Sequence, residues 1–356
     1  MYLRINTSLE IISLCFRVLL AVSIIVPGSM GLRAQTSSAS GDGENALGIA
    51  LESYPYPYPV QFLEFEMQHQ RVRMGYMDIS PRGTPNGQTV VLLHGKNFGG
   101  YYWKGPIQFL TTAGYRVVVP DQVGWGKSSK PDIRYSFTNL AANTVRLLDS
   151  LSINRVILVG HSTGGMLAVR FARTYPQRVG ALVLEDPVGM EDYRASIPPQ
   201  TDETLYQAEL NNTKRENIEA FYARYFAHPD PALYGPLAEV QFRITKSGEF
   251  PRWAKASALA YQMIYEQPVV YEYGLLQTPT LLIVGQADHT VPMSAYASAD
   301  VRPALGHIIE LAQKLIKEVP DGTLAIVPNA GHIPHLEQPD VFQNDLMVFL
   351  RKHPVQ

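Results

Sequence analysis

Short apolar runs recur along the chain, and stretches in which apolar residues have a helical spacing separate most of them. The runs cover residues 89–93, 115–119, 155–159, 181–184, 279–284 and 323–327. Continuous apolar runs of this length are typical of strands that a sheet buries on both faces. Because these strands alternate with helices, the pattern predicts an α/β fold with a mostly parallel central sheet and helices on both faces.

Two regions depart from this alternation. Residues 60–67 and 71–79 predict a two-stranded hairpin ahead of the parallel strands. From residue 187 to 278 the strand pattern stops, and helical stretches replace it at residues 201–211, 216–227, 231–244 and 252–267. We therefore expect an α/β core formed by residues 60–186 and 279–356, with a helical cap inserted at 187–278.

The predicted cap is rich in tyrosine. These rings, with Met263 and Trp253, could line an apolar pocket, although we expect most of them in the packed interior of the cap.

The first 34 residues have the pattern of a secretory signal peptide. Arg4 and Arg17 precede an apolar run at 18–26, and Ala34 offers a small residue for cleavage. The run is short for a membrane span, so we expect an exported protein, periplasmic or secreted. An uncleaved anchor is the alternative, but it would have to accommodate Arg17.

The only cysteine, Cys15, lies in this segment. The mature protein would therefore have no disulfide, which suits a bacterial periplasm.

Residues 35–59 predict a linker. Residues 36–45 are rich in serine and glycine, as in flexible linkers. The alternating tyrosines and prolines at 54–59 predict an extended, stiff segment that leads into the first strand. A docking motif is the less favoured interpretation of these residues.

Composition and charge narrow the class of partner. The formal net charge is only -2, and 17% of the residues are charged. No basic patch or tail indicates nucleic acid as a partner. We expect a small-molecule substrate, contact with a membrane only through an uncleaved N-terminal segment, and no cofactor or metal. The sequence leaves the oligomeric state open.

The sequence Gly160-His161-Ser162-Thr163-Gly164 carries the strongest chemical signal. It fits the pattern G-x-S-x-G, with an apolar strand before it and a helix-like run after it. In this context a serine lies on a sharp, strained turn that exposes its hydroxyl group. The flanking glycines allow the chain to approach closely on either side, and the following helix favours negative charge beside the hydroxyl.

Other reactive residues also follow strands. The residues His94-Gly95-Lys96 follow the run at 89–93, Asp288 follows the run at 279–284, and His332 follows the run at 323–327. Because the carboxyl ends of parallel strands meet at one sheet edge, these loops should lie together. They supply serine, aspartate and histidine in that chain order.

From about residue 60 to 350 the chain resembles the α/β-hydrolase fold superfamily, in particular its capped, serine esterase- and lipase-like branch. The motifs that carry the resemblance are His94-Gly95-Lys96, the run from Asp121 to Ser128, the serine motif, Asp288, and Gly331-His332. The resemblance implies a nucleophile at Ser162, a base at His332 and an acid at Asp288. It also implies an oxyanion hole formed by the backbone N–H groups of Lys96 and Thr163.

Two residues depart from the dehalogenases of this fold, and both departures favour acyl chemistry. Ser162 stands where those enzymes have an aspartate nucleophile, and Lys96 stands where they have a halide-binding side chain. We expect the lysine side chain at the pocket mouth or in solvent.

Several polar residues have alternative interpretations. Glu185 and Asp186 end another strand, where some relatives place the acid. His335 lies close to His332 in the sequence, and two nearby histidines can indicate a metal site. Pro334 lies between them, however, so they do not share a helix face, and no carboxylate or cysteine pattern supports a metal site. We expect His161 to pack beside the serine turn, and we expect solvated side chains at His289 and His228.

The resulting hypothesis is an exported serine hydrolase that cleaves a small or medium carboxylic ester through an acyl-enzyme. The first alternative is an aminopeptidase of the proline iminopeptidase type, for which Glu203, Glu209, Glu216 and Glu219 could hold the substrate amine. A C–C bond hydrolase or a cofactor-free haloperoxidase is also consistent with the motifs. A non-catalytic ligand-binding module is the alternative from a different class.

Overall fold

The computed structural model describes residues 46–355. The predicted signal peptide and the Ser/Gly-rich part of the predicted linker lie outside this range. Within it, no helix has the length and apolar composition needed to cross a membrane.

Eight strands form one sheet, in the spatial order β1-β2-β4-β3-β5-β6-β7-β8. The first two form the predicted hairpin, β2 pairs with β4 in antiparallel fashion, and every other neighbouring pair is parallel. The prediction of a mostly parallel central sheet is confirmed. The strands are β1 (Val60–Met67), β2 (Gln70–Ile79), β3 (Thr89–Leu93), β4 (Arg116–Pro120), β5 (Val156–His161), β6 (Val179–Glu185), β7 (Thr280–Gly285) and β8 (Gly322–Val327).

Helices cover both faces of the sheet, which explains why its central strands are apolar throughout. In β3, Val91 and Leu93 belong to one apolar cluster, while Val90 and Leu92 belong to another. Alternate residues of a strand point to opposite faces, so each face has its own core. The helices of this α/β core are α1 (Lys104–Thr112), α2 (Phe137–Ser150), α3 (Thr163–Thr174), α8 (Ile308–Leu315), α9 (Pro334–Glu337) and α10 (Pro339–Lys352).

Four helices fill the segment between β6 and β7, as the sequence predicts for the cap. They are α4 (Asp202–Asn211), α5 (Arg215–Ala223), α6 (Pro231–Ile244) and α7 (Phe250–Glu266). Side chains of Thr201 and Asp230 cap the first turns of α4 and α6. Helix α5 ends before residue 227, the predicted end, because the amides of Ala227 and His228 donate to the Glu337 carboxylate instead of continuing the helix.

Residues 46–59 pack between the cap and the core, although the sequence predicted only a linker and an extended strap here. Leu47, Ile49 and Leu51 are buried in an apolar cluster with residues of α6 and α7. The hydroxyl group of Tyr56 donates to Asp121, in the loop after β4, over 2.7 Å. This segment therefore adds apolar contacts that hold the cap in place.

Candidate active site

Ser162 lies in a sharp turn between β5 and α3, and its backbone is strained. Its φ of 56° and ψ of -121° are unusual for a residue with a side chain. The neighbouring glycines are required by close backbone packing: a Cβ on Gly160 would lie 2.3 Å from the carbonyl oxygen of Gly164, and a Cβ on Gly164 would lie 2.3 Å from that of Leu93. The Ser162 amide donates to Glu185 O over 3.0 Å, which ties the turn to the end of β6.

His332 and Asp288 reach Ser162 from the loops after β8 and β7. The Ser162 Oγ lies 2.9 Å from His332 Nε2, and His332 Nδ1 lies 2.8 Å from Asp288 Oδ2. The other carboxylate oxygen of Asp288 accepts from Thr290 N over 2.8 Å, and His332 N donates to Tyr225 O over 2.6 Å. The three sequence-predicted residues thus form one buried chain of hydrogen bonds.

Charge fixes the direction of these hydrogen bonds. Burial acts to raise the pKa of Asp288, but the charge and hydrogen bond of His332, with hydrogen bonds from Thr290 and Asp186, lower it below its ordinary value. An ionised Asp288 requires the His332 proton on Nδ1. Nε2 is then an acceptor for the Ser162 hydroxyl, which is the arrangement of a general base beside a nucleophile.

Asp186 is also close to this chain of hydrogen bonds. Its carboxyl group accepts from the Gly285 amide, with oxygens at 3.0 and 3.1 Å, and is hydrogen-bonded to Asp288. Burial and the neighbouring Asp288 charge raise the pKa of Asp186 well above its ordinary value. It therefore stays protonated and donates to Asp288. His332 contacts Asp288, so the structure favours Asp288 over Asp186 as the residue that orients the imidazole.

Asp186, Asp288 and His332 each offer a ligand atom within 4.8 Å of the others, so their fit to a metal ion bears on the site. Asp288 and His332 Nδ1 are hydrogen-bonded to each other, and His332 Nε2 faces Ser162. A protonated Asp186 is a poor ligand as well. The donor set therefore suits proton transfer better than metal binding.

Lys96 and Thr163, the residues predicted to form the oxyanion hole, line the cavity beside Ser162. Thr163 is the first residue of α3, where backbone N–H groups have no partner within the helix.

The expectation for the Lys96 side chain was wrong, because the side chain points neither to solvent nor to the pocket mouth. It is 5% exposed and bonds to Glu209 over 3.1 Å and to Ser257 over 2.7 Å.

The cavity beside Ser162 has a volume of about 630 Å³ and lies between core and cap. Of the tyrosines predicted in the cap, Tyr225 and Tyr261 line it, whereas Met263 and Trp253 are absent from its wall. This volume is in the usual range for a small-molecule site. Its wall combines apolar, aromatic and a few charged side chains.

Glu185, at the end of β6, forms a buried pair with His335. The Glu185 carboxylate accepts from His335 Nδ1 over 2.9 Å, with both side chains fully buried. His335 thus has a carboxylate partner that the sequence pattern did not reveal. His228 and His289 are exposed, as expected, although His289 also lines the cavity.

A hydrogen-bonded path behind Ser162 was missed by the sequence reasoning, because its central member, Tyr102, belongs to no motif. Gly95 N donates to Tyr102 Oη over 3.2 Å, and Tyr102 Oη lies 2.9 Å from His161 Nδ1. His161 Nε2 donates to the carbonyl oxygen of His332 over 2.7 Å. Burial and the neighbouring His332 and His335 lower the pKa of His161 well below its ordinary value, so the ring is neutral. Through Tyr102 and His161, this path connects the loop after β3 to the loop that carries His332.

Residues 90–343 match the model of the Alpha/beta hydrolase family. The chain is 40% identical to the "probable hydrolytic enzyme" of Pseudomonas aeruginosa PAO1, with a TM-score of 0.83, covering 86% of this chain and 98% of that one. It is 28% identical to the 2-hydroxy-6-oxononadienedioate/2-hydroxy-6-oxononatrienedioate hydrolase 2 of Pseudomonas putida, covering 79% of this chain and 95% of that protein. It is 27% identical to the 2-hydroxy-6-oxo-6-phenylhexa-2,4-dienoate hydrolase of Burkholderia cepacia, covering 74% of this chain and 88% of that protein.

Proposed function

Because the chain belongs to the Alpha/beta hydrolase family, we propose that it is a serine hydrolase that cleaves a small or medium carboxylic ester. The observation that carries this proposal is the chain of hydrogen bonds from Ser162 through His332 to Asp288, beside a cavity of about 630 Å³. The catalytic residues we propose are Ser162, His332 and Asp288, with the backbone N–H groups of Lys96 and Thr163 as the oxyanion hole.

In the first half-reaction, Ser162 Oγ attacks the ester carbonyl carbon and His332 Nε2 takes the hydroxyl proton. Asp288 holds the imidazole and stabilises the imidazolium that forms. Two backbone N–H groups stabilise the negative oxygen of the tetrahedral intermediate. The intermediate then collapses: the ester C–O bond breaks, and His332 gives its proton to the leaving alcohol oxygen.

Water completes the reaction by the same steps. His332 Nε2 takes a proton from a water molecule, and the water oxygen attacks the acyl carbon. Breakdown of the second tetrahedral intermediate releases the carboxylic acid and returns the proton to Ser162 Oγ. This sequence uses the side chains and backbone N–H groups of the site with one water molecule, and its atoms balance as ester plus water giving acid plus alcohol.

Hydrolysis of a C–C bond is the second candidate function. The observation that favours it is that the two relatives from Pseudomonas putida and Burkholderia cepacia are named as hydrolases of oxo-dienedioates and oxo-dienoates. The same Ser162–His332 pair could serve it, with the carbon leaving group protonated in place of an alcohol.

Activity against three kinds of substrate distinguishes these candidates. We expect the protein to hydrolyse p-nitrophenyl esters of graded acyl length, with negligible turnover of amino-acid p-nitroanilides and of 2-hydroxy-6-oxo-6-phenylhexa-2,4-dienoate. Ser162→Ala is the control for background hydrolysis. Turnover of the dienoate far above that of every ester would contradict the ester assignment, and strong anilide turnover would favour the aminopeptidase instead.

Export is the remaining part of the proposal, and it is supported only by the sequence pattern of residues 1–34. We propose that the exported form begins near Gln35 and is periplasmic or secreted. N-terminal sequencing of the exported protein tests this. An exported protein that still begins at Met1 would favour the uncleaved anchor.

A further inference from the structure

The loop after β3, residues 94–98, is held by core and cap together. On the core side, the Trp125 indole donates to the carbonyl oxygen of Lys96. On the cap side, Asn97 Nδ2 donates to Tyr225 Oη over 2.8 Å, and Tyr222 Oη donates to Asn97 O over 3.0 Å. This loop carries the proposed oxyanion donor, so its position decides how well that donor is placed.

The side chain of Lys96 makes the most extensive of these contacts with the cap. Its ammonium group lies 3.1 Å from Glu209 Oε1 on α4 and 2.7 Å from Ser257 Oγ on α7. It also lies 3.5 Å from the ring centroid of Tyr261 on α7. The Lys96 and Glu209 side chains are only 5% and 11% exposed, so water screens the pair weakly.

Stability alone is a poor explanation for this buried pair. Burial lowers the pKa of Lys96, and Glu209 only partly opposes this effect. Replacing a buried ion pair with apolar side chains of similar size is often neutral or stabilising. Apolar contacts have no preferred direction, whereas the hydrogen bonds of the ammonium group do. These bonds fix the loop to two separate cap helices in a defined geometry.

We propose that Lys96 is a positioning residue whose side chain couples the seating of the cap to the geometry of the oxyanion hole. This inference rests on the proposed function, since the backbone N–H of the same residue is the proposed oxyanion donor. Glu209 and Tyr261 also line the cavity, so a bound substrate contacts the same cap residues that hold the ammonium group. Loss of these bonds removes the ties that the Lys96 side chain makes to α4 and α7. The other hydrogen bonds of the loop remain, but they hold the donor less firmly in place, and it then stabilises the transition state less well.

The test compares Lys96→Met, which keeps the chain length without the charge, with Arg116→Met. Arg116 forms a partly buried ion pair with Asp78 between β4 and β2, over 2.7 Å, away from the site. We expect Lys96→Met to lower kcat about ten- to a hundredfold, with KM changed less than about threefold, because the loss falls on the transition state. Arg116→Met should keep kcat within about twofold. Binding of an aryl trifluoromethyl ketone, whose adduct with Ser162 carries an oxyanion, should weaken by a factor close to the loss in kcat.

The double variant Lys96→Met/Glu209→Met separates positioning from a merely structural role. It removes both charges, so the thermal stability lost in Lys96→Met should return while kcat stays low. If kcat recovers with stability, or if Lys96→Met retains wild-type kcat and inhibitor affinity, the coupling is wrong.

The rate at which a fluorophosphonate labels Ser162 keeps this test separate from the ester assignment. If the wild type labels but hydrolyses no ester, the ester assignment fails, and a labelling rate that drops about tenfold or more in Lys96→Met still supports the coupling. Equal labelling rates in the two proteins would overturn it. A wild-type protein that does not label at Ser162 would overturn both proposals.

Discussion

The carboxyl groups of Asp186 and Asp288 are hydrogen-bonded to each other in the interior, close to His332. They come from the ends of neighbouring parallel strands, β6 and β7, and each is at most 3% exposed. Two carboxylates this close in a buried site cannot both ionise easily. Asp288 keeps the negative charge because it also accepts from His332 and Thr290, and Asp186 keeps the proton.

This pair predicts losses of very different size for the same substitution at two positions. Asp288→Asn should lower kcat by about two to four decades, because an amide can hold His332 in the wrong tautomer. Asp186→Asn should lower kcat about tenfold or less, because the amide N–H can replace the acid O–H as donor to Asp288. Steady-state kinetics on the best ester measures both effects, with circular dichroism as the control for folding. Near-complete loss in Asp186→Asn beside a nearly intact Asp288→Asn would place the acid on β6 instead.

Close packing at the serine turn predicts a strong effect of one methyl group. In Gly164→Ala the new Cβ would meet the carbonyl oxygens of Leu93 and His94 at 2.3 and 2.7 Å. Since both are backbone atoms of β3 and its loop, we expect a loss of about 3 kcal/mol in the free energy of unfolding.

The matched control is Gly105→Ala, near the start of α1. A Cβ there meets nothing within 4 Å, so this change should leave stability equal or raise it by up to about 1 kcal/mol. Urea unfolding of the two variants and the wild type makes the comparison. Equal stability of the two variants would show that the turn does not require glycine at 164.

Lys130 predicts a pH dependence of stability. Its side chain is buried and donates to the carbonyl oxygens of Gly126 and Ser128. Burial lowers its pKa to about 7, although the Asp121 charge acts against this. Above that pH the folded protein has released the proton, while the unfolded chain holds it up to an ordinary lysine pKa of about 10.4. The unfolded state binds more protons in this window, so the free energy of unfolding should rise with pH.

Lys130→Met isolates this effect from the other groups that titrate. Between pH 7 and 9, the free energy of unfolding of the wild type should rise relative to that of the variant, by up to about 1.4 kcal/mol per pH unit. Urea unfolding at pH 7, 8 and 9 measures the difference. A difference that stays constant would mean that Lys130 keeps an ordinary pKa in the folded protein. A difference that falls would also contradict the prediction.

Much of the fold was predictable from the sequence, because period and composition are local properties. The apolar runs placed the strands within one or two residues, and the stop in their alternation placed the cap helices. Ser162, Asp288 and His332 were predictable as candidates because each follows a strand, and parallel strands end at one sheet edge. The position of α5 was less accurate, since its end depends on Glu337, more than a hundred residues away.

Contacts between distant side chains were not predictable in this way. The sequence predicts an exposed side chain at Lys96, because the residues that surround it, Glu209, Ser257 and Tyr261, are distant in the chain. The hydrogen bond between Asp186 and Asp288 depends on the pairing of β6 with β7 and on the burial of both groups. Tyr102 has no local pattern, and its role follows only from the positions of Gly95 and His161.

The most direct test of the proposed chemistry is active-site labelling of the intact protein. We expect a fluorophosphonate to modify a single serine, Ser162, because its Oγ lies 2.9 Å from His332 Nε2 and that nitrogen can accept its proton. Peptide mapping by mass spectrometry should find the adduct on the peptide that contains Ser162, and Ser162→Ala should abolish labelling. A label on another serine, such as Ser128, or labelling that persists in Ser162→Ala, would contradict the account.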